Sequence, residues 1–201
     1  MARAGFLDSL IQRLTREEPT RLVPRASAGV AVIFRVLRDD EQVLLIRRAE
    51  REGDPWSGQV AFPGGMANAT DGSFEETASR ETSEEVGIDL SSRAAVFLGY
   101  MRELKARTRE VVVVPSVFKL AASTTVTLNK EVASYEWVPL RSLARKEARS
   151  TYLLRREGVG MAFPSLVHRR LVIWGLTERV LSVIIQDRTA GDDVLGKVER
   201  Y

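Results

Sequence analysis

A chain of 201 residues that is 44% hydrophobic is long enough for one well-buried domain and too short for two of ordinary size. With no cysteine, disulfides, thiolate catalysis and Cys-ligated zinc are excluded, and no apolar run approaches the roughly 18 to 20 residues that span a bilayer. Thirty Lys and Arg against 27 Asp and Glu leave a formal net charge of +3, a mild preference for anionic partners. No basic block is interleaved with aromatics, so the expected partner is a small phosphorylated molecule, with no nucleic acid and no membrane.

The opening "MARAGFLDSLIQRL" has neither a continuous apolar core nor a small-residue cleavage site, so it is not expected to be a secretory signal, and the expected location is cytoplasmic. Phe6, Leu7, Leu10, Ile11 and Leu14 fall at helical spacing and the pattern stops in "EEPTRLVPRAS". Residues 1–24 are therefore expected to form an N-terminal helix and linker, packed on the domain or on the second subunit of a homodimer. The β-branched runs "AGVAVIFRVL" and "QVLLIRRA", separated by "RDDE", predict a hairpin. Further strand-like runs follow in "AAVFLGYM", "EVVVVPSVFKL" and "SYEWVPL". "RRLVIWGLTERVLSVIIQ" starts strand-like and turns helical from about Leu176, and residues 191–201 read as a polar tail. No internal repeat or low-complexity linker divides the chain, so residues 25–190 predict one mixed α/β domain.

The chemistry concentrates between these runs, in "VAFPGGMANATDGSFEETASRETSEEVGIDL". Ser73 followed by Glu76 is a capping-box pair that starts a helix at about Phe74, and Gly87 is placed to end it. At 100° per residue, Phe74, Ala78, Thr82 and Val86 form one stripe facing the core. Glu81 and Glu85 lie beside Phe74 on that wheel with Glu84 next to them. A solvated helix face, braced by pairs such as Glu76 to Arg80, is the plainer reading of such a charge run. Here, however, three carboxylates flank the apolar stripe, where without a counter-charge they would cost several kcal/mol or protonate. A divalent cation removes that penalty, and hard oxygen ligands point to Mg2+ or Mn2+. The "FPGG" glycines let the backbone turn without a Cβ and leave carbonyl oxygens available to the same metal shell.

The ordered set Gly65, Arg80, Glu81, Glu84, Glu85, Gly87 and Ile88, over residues 64–88, resembles the Nudix box of hydrolases acting on a nucleoside diphosphate linked to another group. The gap from Gly65 to Arg80 is one residue longer than the usual box, Asp71 stands where an early glutamate is expected, and Thr82 replaces an aliphatic residue. With "LLIRRA", "GQVAFPGG" and "IWGLTERVL", the likeness extends to the coenzyme A pyrophosphatase branch over most of residues 28–186. Arg48 falls at that branch's upstream arginine, whereas "EREGDPWSGQ" is one residue longer than the branch's motif and puts Gly53 where a polar or basic residue is expected.

The resemblance implies a Nudix-type α/β/α sandwich with a mixed β-sheet, and a pyrophosphatase that cleaves coenzyme A or an acyl-CoA to adenosine 3′,5′-bisphosphate and a phosphopantetheine. It implies Glu84, Glu85 and the Gly65 carbonyl as metal ligands, with Glu81 a third ligand or the group orienting water. Glu131, six residues before Trp137, stands where some relatives keep a further catalytic glutamate; a surface loop acid is the competing reading. Gly64, Asp71, Arg80 and Gly87 take structural roles, Arg80 holding the loop through Asp71 or Glu76. Arg47, Arg48 and Arg51 are placed to reach substrate phosphates. His168, the only histidine, reads as an ordinary surface residue. Two alternatives stay open: the same chemistry on dinucleotides, nucleotide sugars or damaged nucleoside triphosphates, and a non-catalytic nucleotide sensor.

Overall fold

A computed structural model describes residues 5–53, 56–106, 111–121, 124–156 and 159–186. The polar tail expected over 191–201, and Asp54 and Pro55 of the lengthened upstream segment, lie outside these residues.

The predicted hairpin is β1 (Ser27–Leu37) and β2 (Asp40–Arg48). Only Arg38 and Asp39 form its loop, both at positive φ (50° and 62°), the left-handed pair that matches the twist of two antiparallel strands. The strands thus run two residues deeper into "RDDE" than hydrophobicity indicates. Two short strands follow, β3 (Val60–Ala61) and β4 (Gly64–Met66), then α2 (Phe74–Val86), β5 (Ala95–Tyr100), β6 (Leu104–Lys105), β7 (Val112–Leu120) and β8 (Val132–Pro139). Together the eight strands form one mixed sheet. Its central path is β3-β2-β1-β7-β5, in which β1 and β7 are parallel; β4, β6 and β8 pair with β1, β7 and β2.

Both faces of this sheet are covered, and the strands' alternation decides which residue goes where. Ala31, Ile33, Leu44 and Ile46 pack with Ala78 and Val86 of α2. Val32, Phe34, Val43 and Leu45 point the other way, into a core with α1 (Phe6–Ile11), α3 (Leu140–Leu143) and α4 (Leu176–Gln186). The result is the expected α/β/α sandwich. Of the two placements open for the N-terminal helix, the chain takes the first: Phe6, Leu7 and Leu10 are buried in the core of their own domain. Glu41 on β2 fixes it there by accepting from the amides of Phe6 (2.7 Å) and Leu7 (2.9 Å).

A second, antiparallel sheet of β9 (Arg149–Arg156), β10 (Val159–His168) and β11 (Leu171–Trp174) is not legible in the hydrophobic pattern. β9 is crossed by arginines and β10 contains Pro164, so neither reads as a regular apolar run. Gly175, at φ 71°, turns β11 into α4 where the change of period from strand to helix predicts it. His168 is not an ordinary surface residue. Its side chain is 11% exposed, and Nδ1 lies 2.9 Å from Ser142 Oγ, which ties β10 to α3; Glu136 Oε1 of β8 is 3.2 Å from Nε2 but out of line for a hydrogen bond. Ser142 donates its hydroxyl proton to Pro139 O at 2.6 Å, which makes the group a tether rather than a nucleophile. Among the described residues no helix is long and apolar enough to cross a membrane.

Candidate active site

The acidic helix begins and ends where its caps predict. Ser73 Oγ accepts from Glu76 N at 3.0 Å, and Gly87 closes the helix at φ 67°. The reciprocal arm differs from a capping box: Glu76 reaches back to Gly72 N (2.7 Å), one residue before the cap. Phe74, Ala78, Thr82 and Val86 are all fully buried. Thr82 fits among them because its hydroxyl donates to Ala78 O within the helix (2.7 Å) and exposes no unpaired polar atom to the core.

That stripe carries the three glutamates into different environments. Glu85 is buried, 3% exposed, and Oε2 accepts from Gly64 N at 3.0 Å. Burial pushes its carboxyl up to about 7; the Gly64 amide and the charge of Arg48 pull it down, while Glu81 and Glu131 add to the rise. Glu81 is half-buried against Gly65, where a Cβ would stand 2.5 Å from its carboxyl carbon. Its pKa is likewise raised by burial, opposed by Arg80. Glu84 points outward, its side chain 57% exposed, so it does not flank the apolar stripe as the helical wheel suggests.

Arg80 is the hub of the neighbouring loop. Of its two expected partners it takes Asp71, in a fork of Nε to Oδ1 (3.1 Å) and Nη2 to Oδ2 (2.9 Å), and it adds Met66 O (3.1 Å). This pairing holds the Asp71 carboxyl below the usual carboxylate range. Asp71 also accepts from Asn68 N (3.0 Å) and Thr77 Oγ1 (3.0 Å), so the shorter acid closes the loop from within. The remaining Arg80 nitrogen meets Glu81 (2.8 Å) and, weakly, Glu84 (3.4 Å).

The glycine backbone corrects one expected ligand. Ala67 N donates to Ser27 O and Ala31 N to Pro63 O, and an antiparallel ladder alternates. Gly29 and Gly65 between them are therefore the hydrogen-bonded pair, which turns the Gly65 carbonyl toward β1. Gly64, opposite Val30, is the residue whose backbone faces the helix acids. Its φ of 151° and the 2.5 Å that would separate a Cβ from Gly29 O restrict the position to glycine.

Glu131 lies in the loop before β8, as its spacing predicts, and is brought to the same place. Val132 pairs with Arg48 across a bulge, Ala49 N donates to Glu131 O (2.8 Å), and the Glu131 charge is felt at Glu85. Arg51 Nη2 holds its carboxylate at 3.1 Å in an exposed pair. Arg48 joins the acids through its electrostatic effect on Glu85. Arg47 does not: it donates to Arg170 O (3.2 Å) on the other face of β2.

A divalent cation fits this donor set in chemistry, since a buried carboxylate and hard oxygens converge there. Among the described residues no three acidic or imidazole side chains already stand in a metal-ligating cluster, because Arg80 holds Glu81 and turns Glu84 aside.

The sequence model of the NUDIX domain matches residues 27–156. The Nudix hydrolase NudL of Pectobacterium atrosepticum, itself described as uncharacterized, is 31% identical over 191 residues, covering 92% of this chain and 97% of that protein. The peroxisomal coenzyme A diphosphatase ndx-8 of Caenorhabditis elegans is 34% identical over 143 residues, covering 68% of this chain. The chain spans 58% of that relative's length, and 49% of the length of a Schizosaccharomyces pombe protein at 35% identity. A solved MutT/nudix family protein from Enterococcus faecalis superposes with TM-score 0.53 at 21% identity, covering 92% of this chain and 68% of that one, which supports the fold alone. The matched model spans more than half of the chain and contains the whole acidic helix, and the chain belongs to the Nudix hydrolase family.

Proposed function

We propose that the protein hydrolyses the diphosphate of a nucleoside diphosphate linked to another group, with coenzyme A or an acyl-CoA as the substrate. The observation that carries the chemistry is the convergence of buried Glu85 with Glu81, Glu131 and Arg48 from three separate segments of the chain. The likeness to a relative named as a coenzyme A diphosphatase supports the substrate.

Glu85, Glu81 and Glu84 would hold Mg2+ or Mn2+, with the Gly64 backbone beside them. When bound, the cation neutralises diphosphate charge and lowers the pKa of water. Arg48 and Arg51 orient the phosphates. Glu131, released from Arg51 by an incoming phosphate, accepts the proton of the attacking water. The water oxygen bonds to one phosphorus, the bridging P–O bond breaks, and two phosphate monoesters leave.

The test is incubation with magnesium or manganese and a panel of coenzyme A, dinucleotides, nucleotide sugars and oxidised nucleoside triphosphates, with products identified by mass. Adenosine 3′,5′-bisphosphate with a phosphopantetheine is the expected pair. A specificity constant at least about tenfold higher for another panel member would move the substrate, and no hydrolysis of any member would leave a nucleotide-binding module.

A further inference from the structure

The last carbonyls of an α-helix have no partner within it. In α2 two of them are taken by a segment distant along the chain: Thr127 N donates to Val86 O (2.9 Å) and Asn129 N donates to Glu85 O (3.1 Å). The left-handed turn at Gly87 keeps this approach open, since a Cβ there would stand 3.1 Å from Thr127 Cβ and 3.2 Å from Thr127 O. Residues 127–129 therefore lie along the end of the helix that carries Glu85, and whatever follows them is placed relative to that end.

A turn follows them. Asn129 O accepts from Val132 N (3.4 Å), which closes residues 129–132 with Glu131 in the third position, and Asn129 Oδ1 accepts from Glu131 N at 2.7 Å. An asparagine side chain that reaches the amide two residues on copies the shape of a backbone turn and fixes the direction in which the chain leaves it. Half-buried Asn129 thus bonds the main chain of Glu85 through its amide and the main chain of Glu131 through its side chain. The Glu131 carboxylate itself meets Arg51 in an exposed pair, which orders it far less than the two main-chain bonds do. Asparagine suits the position better than aspartate, because a carboxylate there would face the negative end of the helix.

We infer that Asn129 is a positioning residue for the hydrolysis: by bonding both main chains it fixes where the Glu131 carboxylate stands relative to Glu85. The inference rests on the proposed role of Glu131 as acceptor of the water proton.

Two measurements on the full chain test it, the first without metal or substrate. Amide hydrogen exchange followed by NMR should show the Glu131 amide exchanging at least about tenfold faster in Asn129→Ala, with part of the protection restored in Asn129→Ser, whose hydroxyl is a weaker acceptor for the same amide. Unchanged exchange in β7 separates loss of this bond from loss of the fold. In the second, with magnesium and whichever panel member is hydrolysed fastest, Asn129→Ala should lower kcat roughly tenfold with KM within about twofold, and Asn129→Ser should recover part of the loss. Made in Glu131→Gln, the same alanine substitution should cost less than about twofold further, because no proton acceptor is left to position.

Unchanged Glu131 exchange in Asn129→Ala, or the same loss of kcat in both backgrounds, overturns the inference while the proposed hydrolysis stands. A rate untouched by Glu131→Gln removes the loop acid and the inference with it, and leaves the activity to the helix acids. If no panel member is cleaved, the proposed function falls; faster Glu131 exchange in Asn129→Ala would then leave Asn129 a purely structural tether and overturn its positioning role.

Discussion

Gly64 donates its backbone amide to Glu85 Oε2 at 3.0 Å, a hydrogen bond that joins the glycine turn to the acidic helix. One hydrogen bond does not offset the burial of a carboxylate that is 3% exposed, which is why its pKa stays near 7. Glu85→Gln keeps the shape and the acceptor oxygen for Gly64 while removing the charge. Turnover with magnesium should fall on the order of 10³-fold, about 4 kcal/mol of transition-state stabilisation, and manganese affinity should fall with it. Parent-level turnover and manganese binding in this variant would remove Glu85 from the metal site.

The same burial predicts a pH dependence of stability in metal-free protein. Glu85 titrates near 7 when folded and near 4.5 when unfolded, so the folded state binds the extra proton between those values. Its contribution is fully present below pH 4.5 and is lost as pH rises through 7, up to about 3 kcal/mol. Denaturant unfolding of native protein and Glu85→Gln from pH 4 to 8 should show the variant gaining on the native protein as pH rises. Saturating magnesium should flatten the difference, because a bound cation keeps the carboxylate ionised at no penalty; parallel profiles without metal would contradict the burial argument.

Gly65→Ala tests how closely Glu81 must lie against β4. The added methyl would stand 2.5 Å from the Glu81 carboxyl carbon, and since this is the end of a flexible side chain, the carboxylate moves rather than the strand. The melting temperature should change little, by less than about 3 °C for a loss under 1 kcal/mol, while turnover drops by roughly tenfold or more. A large fall in melting temperature with unchanged turnover per folded molecule would show that the strand yields instead.

Glu131→Gln separates a catalytic loop acid from a rim charge. Its ion pair with Arg51 is exposed on both sides and adds little to stability. Melting temperature and substrate-free manganese affinity should therefore be unchanged, while turnover should fall by roughly 10²-fold. A rate change below about twofold would leave the helix acids to act without a loop partner.

Sequence and tertiary structure divided the account of this protein along the range of the forces involved. Caps and periods act over a few residues, so the limits of α2 and the switch to helix at about Leu176 could be derived from residue order alone, whereas the choice of Asp71 over Glu76 as the partner of Arg80 was made by the folded loop. The β-branched runs of β1 and β2 likewise announced their hairpin, while the burial of both sheet faces came from the helices packed on them. What a helical wheel cannot supply is the second surface. Glu81, Glu84 and Glu85 fall on neighbouring angles, yet only the packing of α2 against β4 decides that one is buried, one half-buried and one exposed. Ladder alternation, fixed by the pairing of β4 with β1, turned Gly65 to the sheet and Gly64 to the acids. His168 became a half-buried tether, and the β9–β11 sheet with its stacked Tyr152 and Trp174 took form, through contacts between residues distant along the chain, which no local pattern encodes.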